Sequence, residues 1–114
     1  MSENLVNSAC EACSIDAKKL TKIEIENLHQ QIPSWSIIED EDIKKLVCAF
    51  AFSNYEESLE FTNAVARLAE KEDHHPEIIL DYGKVTISLI SHDVQKITER
   101  DIELANQIDK IYGA

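Results

Sequence analysis

The chain has 114 residues, 44% hydrophobic and 29% charged, with two Gly and two Pro, which is the composition of one globular domain without a long disordered tract. Eleven Lys and Arg against 22 Asp and Glu leave a net charge of −11, which repels phosphate backbones and argues against direct nucleic-acid binding. Met1-Ser2-Glu3-Asn4 lacks the start of a signal peptide, no apolar run approaches membrane-spanning length, and three Cys are too few for a disulfide framework, so a cytoplasmic setting is expected.

A domain this small gains from self-association, and a homodimer or homotetramer is expected. Residues 1–17 are polar and aperiodic and read as a flexible leader, with residues 18–114 as the single folded domain. The leader carries Cys10-Glu11-Ala12-Cys13, half of a zinc or redox site with no second pair to complete it.

Thr21-Lys22-Ile23-Glu24 has the form of a capping box and predicts a helix to about Gln31, with Ile25, Leu28 and Ile32 as its buried stripe and Pro33 as its stop. Trp35–Glu39 and Lys44–Phe52 read as strands joined by the acidic turn Asp40-Glu41-Asp42. In the second strand Leu46, Cys48, Phe50 and Phe52 alternate with smaller residues, so Cys48 reads as an apolar core residue.

Ser53-Asn54-Tyr55-Glu56 predicts a second helix start, and the helix runs to about Glu72 with Phe61, Ala64, Val65 and Leu68 facing the sheet. Two apolar runs, Glu77–Tyr82 and Lys84–Ser91, then predict a hairpin in which Gly83 supplies a positive φ. A loop of Gly83 and Lys84 sets Tyr82 opposite Val85, Leu80 opposite Ile87 and Ile78 opposite Leu89. The same register carried on sets His75 opposite His92. Thr98-Glu99-Arg100-Asp101 begins the last helix, which carries Leu104, Ala105, Ile108, Ile111 and Tyr112.

The order helix, strand, strand, helix, strand, strand, helix predicts an α+β domain, a four-stranded antiparallel sheet with helices on one face. The other face, with Thr86, Ser88 and Ile90, or an exposed edge strand, is the expected subunit contact.

Three of the four histidines, His74, His75 and His92, gather at one end of the predicted hairpin. Pro76 forces His75 into extended geometry, which puts the pair at a helix-to-strand junction. On the residues alone the cluster suits either proton transfer or a metal site. Neighbouring histidines in an extended segment point to opposite sides, which disfavours a shared ion.

Glu70-x-x-x-His74-His75-Pro76, then Tyr82, His92 and Asp101, resembles the signature of the pterin-4a-carbinolamine dehydratases, over a match from about Leu20 to the end of the chain. Trp35, after Pro33-Ser34, stands where that family usually has a tryptophan. The chain departs from the family pattern at Gly83, Ser91 and Lys96-Ile97, of which the last leaves the backbone path from His92 to Asp101 open.

The resemblance implies an enzyme that removes water from a 4a-hydroxytetrahydropterin to give a quinonoid dihydropterin, in tetrahydrobiopterin recycling beside an aromatic amino acid hydroxylase. It implies His74 and His92 as the acid/base pair at the 4a-hydroxyl and His75 as a substrate-binding residue with a share in proton transfer. In supporting roles it implies Glu70 biasing a histidine towards its charged form, Asp101 orienting an imidazole, Trp35 as an apolar wall for the pterin, and the backbone near Asp73 and around Ile90-Ser91 as hydrogen-bonding groups. Taken singly, Glu70 also reads as solvated surface and Trp35 as ordinary core. Asp101 is also the third residue of a helix capped by Thr98, where an acid helps without any catalysis. Histidine titrates near neutrality, so no metal or organic cofactor is expected. His29 is expected on the surface with no role. The alternative reading is a non-catalytic module that acts through its helices as a dimerisation cofactor or assembly factor.

Overall fold

The computed structural model describes residues 21–91, 94 and 96–113, so the expected leader with Cys10 and Cys13, and His92 itself, lie outside the described residues. The expected capping box opens helix α1 (Lys22–His29): Glu24 N donates to Thr21 Oγ1 and Thr21 N to Glu24 Oε1. This helix ends two residues before the expected Gln31. Gln31 N and Ile32 N bond to carbonyls three residues back, a tightening typical of helix ends, and it drops Ile32 and Trp35 into the core.

Strands β1 (Ser36–Asp40) and β2 (Ile43–Ala51) pair with Asp40 opposite Ile43. The turn is therefore Glu41-Asp42 alone, both at positive φ (51° and 68°), which matches the twist of a two-residue hairpin. Helix α2 (Tyr55–Glu72) starts one residue later than expected. Asn54, not Ser53, is the cap and accepts from Glu57 N at 2.8 Å, while Ser53 N donates to Glu57 Oε1. Asn caps as well as Ser, so the side chain with the better position took the role.

Strands β3 (Glu77–Asp81) and β4 (Lys84–Leu89) form the expected hairpin in a different register. Asp81 faces Lys84 and Leu80 faces Val85, so the loop is Tyr82-Gly83. A slip of two residues keeps each side chain on its face, which is why the alternation predicted the core correctly while every partner changed. The expected pairing of His75 with His92 does not follow from this register: the ladder stops at Glu77, and carried on it would run from 75 towards 90. Gly83 does not take a positive φ. Its need for a hydrogen side chain is steric, because Phe52 N donates to Gly83 O at 2.9 Å and a Cβ at 83 would meet Phe52 O at 3.0 Å.

The sheet order is β1-β2-β4-β3, antiparallel throughout, and helix α3 (Glu99–Gly113) closes the chain order α-β-β-α-β-β-α. Ile25 of α1, Phe61 and Val65 of α2, and Ile102, Ala105 and Ile108 of α3 share one core with Leu46, Phe50, Val85, Ile87 and Leu89 of the sheet. Each such side chain contributes about 1.5–3 kcal/mol when fully buried. Ala49, Ala51 and Ile79, on the opposite face, are exposed. Among the described residues no helix is long and apolar enough to cross a membrane.

Candidate active site

The site begins where α2 ends. Asp73 takes a left-handed conformation (φ 52°, ψ 42°), His74 N donates to Ala69 O at 3.0 Å and Asp73 N to Glu70 O at 3.2 Å. These are the paired bonds of a Schellman motif, which satisfies the last carbonyls of the helix and reverses the chain. The helix thus stops before Pro76 has any influence. The reversal turns His74 inward, where it is 6% exposed, and leaves His75 at the surface.

His74 Nε2 lies 2.5 Å from Asp101 Oδ1, and Asp101, in the first turn of α3, is fully buried. Its other oxygen, Oδ2, accepts from Ser91 Oγ and from Thr98 N, each at 2.9 Å. Ser91 Oγ is also 2.7 Å from Thr98 Oγ1. An amide N–H can only donate, and a serine hydroxyl has one hydrogen. With that hydrogen on Asp101, the Thr98 hydroxyl donates to Ser91 Oγ, and Oδ1 takes the hydrogen of His74 Nε2. With its hydrogen on Nε2, His74 keeps Nδ1 as its acceptor nitrogen. Asp101 makes both contacts that the sequence offered: it receives the Thr98 N–H at the helix start and meets an imidazole.

His75 Nε2 lies 2.7 Å from Glu70 Oε1, a pair whose side chains are 57% and 81% exposed. Adjacent histidines therefore take different carboxylates on opposite sides of the chain. Among the described residues no three His, Cys, Asp or Glu converge as a metal ion would require.

Of the supporting residues expected from sequence, Glu70 and Asp101 bond the histidines directly, and Ser91 joins them through Asp101. Asp73 forms the turn, with its N–H on Glu70 O and its carbonyl accepting from Arg100 Nη2 at 2.9 Å. Ile90 is half-buried, and Ser91 N donates to Lys96 O at 3.1 Å. Trp35 is not brought to the histidines. It is 1% exposed, packs edge-on against Phe50 and donates Nε1–H to Asp109 Oδ1 at 2.8 Å. Asp109 follows Asp101 by eight residues, about 12 Å along α3. His29, expected at the surface, is half-buried with Nε2 on the Trp35 carbonyl.

Two acids near Trp35 have shifted pKa values. Burial pushes the Asp109 carboxyl up against the opposing effect of the Trp35 hydrogen bond. Burial, then the charge of Asp109, pushes the Cys48 thiol up to about 11, so it stays protonated and inert, as its core position implied. Sequence reasoning missed Arg100 and the Ser91–Thr98 hydroxyl pair. The one available signal was their closeness to Asp101 and His92, since hydroxyl-to-carboxylate contacts made across a fold leave no periodicity.

A family model for pterin 4 alpha carbinolamine dehydratase matches residues 18–111. A relative from Nitrosococcus oceani, named provisionally as a pterin-4-alpha-carbinolamine dehydratase, is 38% identical over 109 residues, 96% of each chain. The fold is similar to a crystal structure described as a transcriptional coactivator/pterin dehydratase from Brucella melitensis, with a TM-score of 0.77 at 28% identity over 84% of this chain and 100% of that one. It is also similar to a pterin dehydratase-like protein described as a RuBisCO assembly factor in the alpha-carboxysome, with a TM-score of 0.61 at 27% identity over 71% and 92%. This chain, with its helix-end histidine pair and buried aspartate inside the matched span, belongs to the pterin 4 alpha carbinolamine dehydratase family.

Proposed function

We propose that the protein dehydrates 4a-hydroxytetrahydropterin to a quinonoid dihydropterin by histidine acid/base catalysis. The observation that supports this reading is the buried Asp101 carboxylate 2.5 Å from His74 Nε2 and bonded by Ser91 and Thr98; with the ring hydrogen on Nε2, Nδ1 is the nitrogen left for proton transfer. The reaction breaks the C4a–O bond as the lone pair of the adjacent ring nitrogen forms a C=N bond. One proton goes to the departing oxygen and one leaves the nitrogen, so no redox partner is needed. His74 and His92 exchange these protons, and His75, steadied by Glu70, binds the pterin and shares in the transfer. Positioned transfers of this kind contribute about 10²–10⁴-fold. Ile90 and Ser91 flank the site, Asp73 shapes it, and Trp35 supports it from the core rather than touching the ring. Family membership supports a place in tetrahydropterin recycling next to an aromatic amino acid hydroxylase, in the cytoplasm and as a homo-oligomer.

The carboxysomal assembly factor of similar fold favours a second reading, a non-catalytic module. A module of that kind has no use for a buried His–Asp pair beside an exposed His–Glu pair. The deciding measurement is dehydration of freshly generated 4a-hydroxytetrahydropterin by the parent chain and by His74→Ala, His75→Ala and His92→Ala. The first two are expected to lose about 10²-fold in rate, and His92→Ala less or in a stereoisomer-dependent way. Equal rates in all four proteins would leave only the assembly reading.

A further inference from the structure

We infer that Arg100 is a positioning residue for the histidine pair, acting on the main chain of the turn that carries it. The inference rests on the dehydratase reading and adds a residue that the reaction does not itself require.

Asp73 is a non-glycine residue in the left-handed region, a conformation that persists where surrounding contacts hold it. The two Schellman bonds hold it from the helix side, through Asp73 N and His74 N. They leave the Asp73 carbonyl, which belongs to the same peptide group as His74 N, pointing away from α2. Arg100 Nη2 donates to that carbonyl at 2.9 Å. Arg100 and Asp101 are consecutive in the first turn of α3, so one element grips the same short segment twice: the guanidinium on the main chain before His74 and the carboxylate on the His74 ring.

The two grips do different things. Asp101 fixes the rotation and hydrogen placement of one imidazole. Arg100 fixes the Asp73–His74 peptide plane, and so sets the direction from which the chain enters His74 and runs on to His75. A planar guanidinium suits this better than an ammonium, because it meets a carbonyl along a fixed direction with an always-charged donor. Small errors in such placement are costly in rate: about 10²-fold for displacement by 1 Å.

The test compares the full-length parent with Arg100→Lys and Arg100→Ala, by steady-state dehydration kinetics and by hydrogen exchange of the His74 amide. Arg100→Ala is expected to lower kcat about tenfold with KM within about twofold. Its His74 amide is expected to exchange about tenfold faster, while core amides of β2 and β4 keep parental protection. Arg100→Lys should recover part of kcat, and millimolar methylguanidinium should restore rate to Arg100→Ala. Parental kcat and parental His74 exchange in Arg100→Ala would overturn the inference, as would equal loss of protection across the whole core, the mark of a merely structural arginine. If the parent itself has no dehydratase activity, the dehydratase reading fails. The exchange of the His74 amide then still decides whether Arg100 holds the turn.

Discussion

Two neighbouring histidines each meet a carboxylate through Nε2, yet the two pairs are physically different objects. His74–Asp101 spans 2.5 Å with side chains 7% and 0% exposed, and Ser91 and Thr98 complete its hydrogen bonds. His75–Glu70 spans 2.7 Å with side chains 57% and 81% exposed. In the buried pair three chain segments converge, so the ring has one orientation. Low local polarity strengthens the bonds there and raises the cost of leaving any of them unmade. In the exposed pair water competes for every bond, so the ring can swing to meet a ligand. On the proposed dehydratase reading, the contrast suits the fixed histidine to chemistry that needs a defined atom and the free one to binding with a share in the transfer.

The largest test of that contrast is Asp101→Ala. The substitution removes the acceptor for His74 Nε2, Ser91 Oγ and Thr98 N at once. Breaking a buried pair by removing one partner costs about 3–5 kcal/mol. Urea denaturation should show a loss of that size, and dehydration should fall by about 10²-fold or more in protein still folded at low denaturant. A loss below about 1 kcal/mol, the range of surface pairs, would mean that burial adds nothing and that the two pairs are equivalent.

How far the sequence revealed this contrast depends on the distance over which each feature is encoded. The Thr21–Glu24 box and the alternation of Leu46, Cys48 and Phe50 are local patterns, and they came out as read. The helix end at Asp73 was hidden, because a left-handed aspartate looks like any other aspartate while Pro76 offers an obvious but irrelevant stop. The hairpin register was hidden for a related reason: a two-residue shift leaves the hydrophobic pattern intact. Asp101 was legible as a helix-start acid, but its contact with His74, 27 residues away, exists only in the fold. Trp35 was legible in two ways, as a binding wall and as ordinary core, and its surroundings, Phe50 and Asp109, put it in the core.

Glu70→Gln sharpens the comparison from the exposed side. A surface ion pair contributes about 0–1 kcal/mol, and glutamine keeps an acceptor for the imidazole. Stability is expected to stay within about 0.5 kcal/mol of the parent, with a severalfold rise in KM and little change in kcat. The parental KM, but not that of the variant, should also rise with salt between low and physiological ionic strength, because exposed charges are screened. A fall in kcat as deep as that of Asp101→Ala would give the exposed pair the role assigned here to the buried one.

The smallest effect is expected from the other carboxylate on α3, which resembles Asp101 in position but not in its partners. Asp109 has the Trp35 N–H where Asp101 has three donors, and burial raises its pKa rather than leaving the charge compensated. The folded chain therefore holds the Asp109 proton more tightly than the unfolded chain does. Between the ordinary carboxylate value and the raised one, the unfolded state binds fewer protons, so stability falls as pH rises through that window, and the cost of the ionised group persists at neutral pH. Asparagine keeps an oxygen for Trp35 and removes the charge. Asp109→Asn should match or exceed the parent by about a few tenths of a kcal/mol at neutral pH, since solvent screens much of the cost. The difference should disappear once the solution is acidic enough to protonate the parent carboxyl, and dehydration should be unchanged throughout. Urea denaturation of both proteins across the acid-to-neutral range reads the slope directly. A clear loss of stability at neutral pH would mean that the Asp109 charge itself holds Trp35 in place, which would make the two ends of α3 alike.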